Sequence, residues 1–571
     1  RMAKWRPQRR LLRPMVQAQF QPSPASGQSP GPGQVPGRRR VAAIDIGTNS
    51  IHLLVAEVDP ELRTFSVVLA EKATTRLGER DPETGDLSAE AIERAFLTLR
   101  HDRDLALSHG VEQIVTAATS AVREAPNGRD FVAALQEQLG LEVDLVSGPE
   151  EARLIYLGVL SGMAFGDQPH LILDIGGGST ELVLADGRDA RSLTSTRIGA
   201  VRLQREFCRQ DPLPSDQRSF LQAYIQGALD PAVAQARAAL LPGEKPLLVG
   251  TSGTAMALAA LAAAEDERPP VKLQGYRLSK ARIDLQINRL LAMTPEQRKA
   301  LPALNERRAE IIVPGALILQ TAMEMLQVKE LVVCDRALRE GLIVDWMLRN
   351  HLLGDRFSFQ STIRERTVMH LGQSFGVERG RADRVAGFAL SLYDQTRGLL
   401  HDDDGEGRQL LWAAAQLHTC GKSINISAYH KHTWYLIRHG ELLGYSQAEH
   451  LMVAAIARYH RRSLPKKRHE SWLLIEDRQQ RRTVASMALL LRLAAALDRR
   501  PAAVVGGIRV EPLYAGSRKE GPTGLTIALE PFSPVDGKEG ADLSLERWSL
   551  ASCREVVLEA CGLSLRVLEQ P

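Results

Sequence analysis

Residues 41–58 read VAAIDIGTNSIHLLVAEV: an apolar run that ends in Asp45, a tight Gly47-Thr48-Asn49-Ser50 stretch, then a second apolar run. Short β-favouring runs bounded by small polar residues are strand signals, so this pattern reads as two strands joined by a close turn. The plan returns at residues 171–187, LILDIGGGSTELVLADG, with Asp174 in the place of Asp45 and a loop of Gly176, Gly177, Gly178, Ser179 and Thr180. A strand that ends in Asp and continues into glycines and hydroxyl residues lets backbone N–H groups approach an anion closely. Phosphate is the natural ligand. Each aspartate stands where it can orient a cation or a water. One such loop is ordinarily a plain hairpin turn. Its duplication argues for two lobes that clamp a phosphate chain between facing hairpins.

Outward from these loops, the texture is that of an α/β protein. TFSVVLAEKATTRLG predicts a third strand. SAEAIERAFLTLRHDRDLALSHG predicts a helix capped by Ser88 and ended by Gly110, followed by the strand EQIVTAATS. FVAALQEQLG predicts a helix, LEVDLVSG a strand, and PEEARLIYLGVL a further helix. The second loop leads the same β-β-β-α plan through LILDIGGG, TELVLADG and RSLTSTRIG to LLVGTSG and an apolar helix. ELVVCD and RALREGLIVDWMLRN then predict a strand and a long closing helix. Beyond about residue 350 helical periodicity dominates. After Pro501, IRVEPLY, LTIALEPF and DLSLERW predict short strands beside REVVLEACG. The expected organisation is a basic tail (1–40), two α/β lobes (41–165 and 166–350), a helical domain (351–505) and a small C-terminal α/β module (506–571).

Composition narrows the function classes. The 571 residues exceed what one core accommodates, so several domains are expected. No apolar run is long enough to cross a bilayer, which argues against a membrane protein. The five cysteines lie far apart and form neither a CxxC pair nor a dense framework. A reducing, cytoplasmic setting without zinc or disulfide scaffold follows. The net charge of +4 is concentrated at the start, where residues 1–40 hold many Arg and Lys and no Asp or Glu. Proline and glycine there predict disorder.

Seven segments carry a resemblance to a known family: AAIDIGTNSIHLLVAE, TAATSAVREAPNG, LVSGPEEARLIYLGVL, LILDIGGGSTELVL, VGTSGTAMALAAL, RRAEIIVPGALIL and RALREGLIVDW. In this order they resemble the exopolyphosphatase/guanosine pentaphosphatase (Ppx/GppA) family, in its long form, over roughly residues 41–350. The resemblance implies duplicated actin-like ATPase (RNase H-like) lobes. It also implies hydrolysis of the terminal phosphoanhydride of inorganic polyphosphate, or alternatively of guanosine pentaphosphate. A sugar-kinase-like phosphotransferase shares the fold, and a non-catalytic polyphosphate or alarmone sensor is the non-enzymatic alternative.

The family's catalytic carboxylate falls in GPEEAR, which implies Glu151 as general base with Glu150 as the fallback. An acidic pair at a helix start otherwise means favourable dipole placement. Arg123 has the planar fork that suits a terminal phosphate. Asp45, Asp174 and Glu181 are the expected ligands of Mg²⁺ or another divalent cation, being hard oxygens for a hard ion. Gly47, Thr48, Asn49, Ser50 and Gly176 to Thr180 are the expected phosphate cradle. Arg308 matches a family arginine, although Glu310 stands where the family has aspartate. Ala337 stands where glycine is frequent.

The segment LLWAAAQLHTCGKSINISAYHKHTWYLI, residues 410–437, resembles the HD-like helical domain of long family members. Its His-Asp pair is here His418-Thr419, with only the distant Asp498 retained, so no second metal-dependent centre is expected. Basic stretches at Tyr429 to His432 and Arg458 to His469 suit a polyanion held by distributed charge. No nucleic-acid motif accompanies them. The family resemblance implies a homodimer.

Overall fold

The computed structural model describes residues 37–354, 362–403, 405–515, 521–532 and 542–568. The expected basic tail lies almost wholly outside these residues. The first sheet contains β1 (Arg39–Ile46), β2 (Ile51–Asp59), β3 (Thr64–Ala73), β4 (Gln113–Ala118) and β5 (Val143–Leu145), in the order β3-β2-β1-β4-β5. β1 pairs antiparallel with β2 and parallel with β4, so Asp45 sits at the end of a central strand, opposite His52.

The second sheet repeats the scheme. β6 (His170–Ile175), β7 (Thr180–Ala185), β8 (Ala190–Thr196), β9 (Leu247–Thr251), β10 (Arg277–Ser279) and β11 (Glu330–Val333) run in the order β10-β11-β9-β6-β7-β8. β6 is antiparallel to β7 and parallel to β9, and Asp174 stands opposite Glu181. β10 adds an antiparallel strand on the side where the first sheet ends in parallel β5. The duplicated actin-like arrangement is therefore present.

The helix Ala89–Ser108 starts as its sequence predicts: Ser88 Oγ accepts from Ala91 N at 3.2 Å. The helix Gly148–Leu160 is likewise fixed by Ser147, which accepts from Glu150 N, and by Pro149 in the first turn. Its buried side packs against β7, β8 and the helix Leu338–Arg349. That last helix, nearly three hundred residues downstream of β1, packs on β1 and β2 and contributes Leu338, Leu342, Ile343 and Trp346 to a core shared with Val41, Ala43 and Leu54. The chain thus returns to its first lobe before leaving for the helical region.

The helical region runs from the helix Ile363–Ser374 to the helix Arg478–Leu497. A three-stranded sheet, β12 (Val505–Leu513), β13 (Gly524–Pro531) and β14 (Ser564–Val567), follows it, in that order. Helices and sheet share one hydrophobic core, in which Ala389 and Leu490 join Leu525 and Ile527. The segment DLSLERW, expected as a strand, instead enters the helix Ser544–Ala551. Leu543, Glu546, Ser549 and Leu550 are buried while Leu545 and Trp548 are exposed, so the apparent alternation yields to helical spacing. Glu546 is fully buried and pairs with Arg500 at 3.0 Å. The third strand of this sheet is SLRV, residues 564–567, instead.

Close packing between the two central helices depends on a pair of glycines. A Cβ on Gly158 would lie 1.8 Å from the carbonyl oxygen of Ala337, and one on Gly341 would lie 1.8 Å from that of Leu154. Backbone cannot yield as a side chain can. Gly158→Ala or Gly341→Ala is expected to destabilise the two-lobed part by about 1–3 kcal/mol, as overpacking does. Thermal unfolding followed by circular dichroism checks this, and an unchanged midpoint for both variants contradicts the packing described.

Candidate active site

Both glycine loops are β-hairpin connections built alike. Gly47 N donates to Ser50 O at 3.1 Å, and Gly176 N donates to Ser179 O at 2.9 Å. The two hairpins meet face to face: a Cβ on Gly178 would lie 2.2 Å from Ser120 Oγ and 2.8 Å from Thr48 Oγ1. Between the lobes they border a cleft of 560 Å³ lined by Asp45, Thr48, Glu151, Asp174, Glu181 and Arg308, among others. Gly47, Asn49, Ser50, Gly176, Gly177, Gly178 and Ser179 line it too. Thr180 does not; its hydroxyl points away and donates to Ile198 O at 2.7 Å.

The floor of the cleft is acidic. Asp45 is pushed up to about 7 by burial, helped by the charge of Glu151, and its Oδ1 has no hydrogen-bond partner. Asp174 is pushed up to about 6 by burial, against a 2.7 Å hydrogen bond from Ser252 Oγ. Glu151 rises to about 7 through burial, opposed by Arg123. Glu181 is held well above the usual carboxylate range by burial and by the charges of Glu151 and Asp174, although Ser195 Oγ donates to it at 2.7 Å.

Basic groups line the same cleft. Burial pushes the Lys72 ammonium down, with repulsion from Arg308 and Arg339 adding to the effect. His52 falls to about 3 through burial, then through Arg339 and Lys72. The Arg308 side chain is half-buried, which pushes its guanidinium down, and no carboxylate lies in ion-pair reach among the described residues. It lies directly over Gly253, where any Cβ would overlap its Nη2.

The structure separates the two glutamates of GPEEAR. Glu150 faces outward and binds Arg153, which also reaches Asp345 at 2.7 Å. Glu151 faces the cleft and takes a 2.9 Å hydrogen bond from Arg123 Nη1, which also donates to Val146 O. Arg123, expected on the terminal phosphate, is engaged in holding Glu151 and is not among the cleft-lining residues. The carboxylates expected to bind a cation share the cleft, but Asp45, Asp174 and Glu181 do not bring three ligand atoms within 4.8 Å of one another. The unpartnered Oδ1 of Asp45 and the neighbouring Asp174 fit Mg²⁺, which commonly takes one or two carboxylates and shares the phosphates.

Sequence reasoning passed over Ser252, Lys72, His52, Asn305 and Arg339, all in the cleft lining. Ser252 sits at φ +64, a strained value for a residue with a side chain, and this places its hydroxyl on Asp174. The GTSGT loop was its signal. His52 was readable by superposing the two hairpins, since it occupies the register position of Glu181.

With this geometry in hand, comparison with known proteins is decisive for the family. The model of the Ppx/GppA phosphatase family matches residues 54–350, and that of Ppx/GppA phosphatase domain III matches residues 363–507. The chain belongs to the Ppx/GppA phosphatase family. A solved exopolyphosphatase from Cytophaga hutchinsonii ATCC 33406 is 26% identical, with a TM-score of 0.51, over 56% of this chain and 100% of its own. The Aquifex aeolicus member of the Ppx/GppA family is 29% identical over 55% of this chain and 99% of its own, with a TM-score of 0.48. Among the described residues, no helix is long and apolar enough to cross a membrane.

The raised carboxyl groups of this Ppx/GppA site set a pH dependence. Asp45, at about 7 folded against 3.8 unfolded, keeps a proton in the native state that the unfolded chain loses. Its stabilising contribution is complete below about 4 and is lost as pH rises to about 7. Many buried histidines shift the opposite way, so the readout is a difference between proteins. In chelator, the stability of Asp45→Asn relative to wild type should climb between pH 5 and 7 by up to about 1.4 kcal/mol per pH unit. Urea unfolding at several pH values tests it, and a pH-independent difference sinks the assignment.

Proposed function

We propose that this Ppx/GppA phosphatase is an exopolyphosphatase that removes orthophosphate from the end of inorganic polyphosphate. The observation that carries the reading is that acidic and basic groups line one cleft, with Asp45 Oδ1, Lys72 and Arg308 left without an ion-pair partner among the described residues. The acidic floor of Asp45, Asp174 and Glu151 calls for a cation, and the basic wall of Lys72, Arg308 and Arg339 calls for an anion. A phosphate chain carrying a divalent ion satisfies both at once.

In this proposal Arg308, Lys72 and the hairpin N–H groups hold the terminal phosphates. Glu151, held in place by Arg123, accepts a proton from the attacking water. The water oxygen bonds to the terminal phosphorus, the bridging P–O bond breaks, and the shortened chain keeps the bridging oxygen. Asp45 and Asp174 would hold Mg²⁺ or a similar ion, which when bound supplies charge neutralisation on the phosphates. A homodimer, a cytoplasmic setting and a role for the basic stretches of the helical region in holding the remainder of the chain belong to the same proposal.

One feature favours the second reading, guanosine pentaphosphate. Met256, Ala257, Ala260, Leu273 and Leu304 form an apolar shelf in the lining of the same cleft, beside Asn305. A purine base would cover such a shelf, whereas a polyphosphate chain would leave it wet.

Orthophosphate release from long-chain polyphosphate and from guanosine pentaphosphate, measured in parallel with Mg²⁺ and with chelator, tests both. Polyphosphate is expected to be the better substrate, with no turnover in chelator. Glu151→Gln is expected to lower kcat by about 10²–10⁴-fold with little change in binding. Glu150→Gln should stay within a few fold of wild type. Preference for the nucleotide would overturn the polyphosphate reading, and equal turnover by Glu151→Gln would remove that residue from the base role.

A further inference from the structure

On the outer side of the first lobe, away from the phosphate cleft, three side chains with metal-binding atoms converge. Glu71 lies on the edge strand β3, and His101 and Asp102 lie on the helix Ala89–Ser108 that covers it. One ligand atom from each falls within 4.8 Å of the others. His101 Nε2 stands 3.2 Å from Glu71 Oε2.

The cluster contains an unexplained group. Asp102 is only 3% exposed, yet no hydrogen bond or ion pair engages its carboxyl among the described residues. Among the described residues Glu71 has no side-chain partner but His101, and no Lys or Arg is paired with either acid. Asp102 is held largely out of water with its carboxyl beside an imidazole and a second carboxylate, each of which is exposed and free to adjust.

We propose that Glu71, His101 and Asp102 form a binding site for one divalent transition-metal ion of the zinc type. Two oxygens and an imidazole nitrogen suit Zn²⁺, with water in the fourth position. Mg²⁺ favours all-oxygen surroundings and does not compete well for such a set. At bond lengths of about 2.0–2.2 Å the donors around one tetrahedral ion stand about 3.3–3.6 Å apart, so side-chain rotation closes the site. The bound ion ties the edge strand to its covering helix. Glu71 is adjacent to Lys72, which faces the cleft from the other side of the strand, so the ion also steadies the strand that carries part of the anion wall.

The test uses the full-length protein stripped with chelator and dialysed into excess Mg²⁺, titrated with Zn²⁺ by calorimetry. Wild type is expected to bind one Zn²⁺ that Mg²⁺ does not displace, with a rise in the unfolding midpoint. His101→Ala, at an exposed position that does not threaten folding, should weaken that binding about tenfold or more and abolish the rise. Asp45→Asn should retain both. Undiminished Zn²⁺ binding by His101→Ala would overturn the proposal, as would loss of the site in Asp45→Asn alone, which would place the ion in the cleft.

Discussion

Four carboxyl groups held out of water at the meeting of two hairpins are the constraint around which this molecule is arranged. Asp45, Glu151, Asp174 and Glu181 repel one another in a place where solvent does little to screen them. The structure tolerates them because each is fixed from a rigid element. Asp45 and Asp174 end central strands, Glu181 stands opposite Asp174 in register, and Glu151 occupies the first turn of a helix locked by Ser147 and Pro149. Arg123 neutralises one of the four and leaves the rest for what enters the cleft. Of the cations in the cleft, Arg339 pairs with Glu340 at 3.5 Å, whereas Lys72 and Arg308 have no ion pair among the described residues. Lobe architecture, loop glycines and the strained Ser252 all serve to hold these groups around one cleft.

Much of this was legible in the chain because the decisive signals are local. A hairpin is written in adjacent residues, so the two loops and their strands could be read directly, and their repetition gave the duplicated sheet. The helix start at Ser88 was equally local. What escaped depended on contacts far apart in sequence. Nothing near Arg123 says that it will be engaged by Glu151, nor does GPEEAR say which glutamate faces inward; the helical register against β7 and β8 decides that. Thr180 resembles its loop neighbours by composition but belongs to the strand, whose pairing turns its hydroxyl to Ile198. DLSLERW offered leucines at strand spacing, and burial of Glu546 against Arg500 selected the helix. Cleft residues such as Lys72 and Asn305 carry no motif.

In the helical region the acid singled out from the sequence is held by arginines. Asp498, expected as the distant acid of an HD-like site, is engaged by Arg384 at 2.7 Å and Arg381 at 3.3 Å. His418 packs edge-on to His460, 5.2 Å between ring centres, and burial pushes both imidazoles well below their ordinary range. Nearby, Lys422 and Arg461 lie over the ring of Tyr429, at 5.2 and 4.7 Å from its centre. The arginines neutralise Asp498 and leave the surroundings of Tyr429 basic. The continuous core with the C-terminal sheet keeps this face rigid.

The return of the helix Leu338–Arg349 to the first lobe has a consequence for how the chain is made. A ribosome delivers β1 to β5 and the helix Gly148–Leu160 long before it delivers the helix that packs on them. During that interval the apolar faces around Val41, Leu54 and Gly158 have no cover, and the nascent first lobe is an open half-structure. The second lobe is synthesised in the meantime, and packing of β7 and β8 on the waiting helix supplies the first shelter. Closure of the earliest-made sheet is therefore among the last events before the helical region emerges, and the two lobes are committed to each other by order of synthesis as well as by the cleft they share.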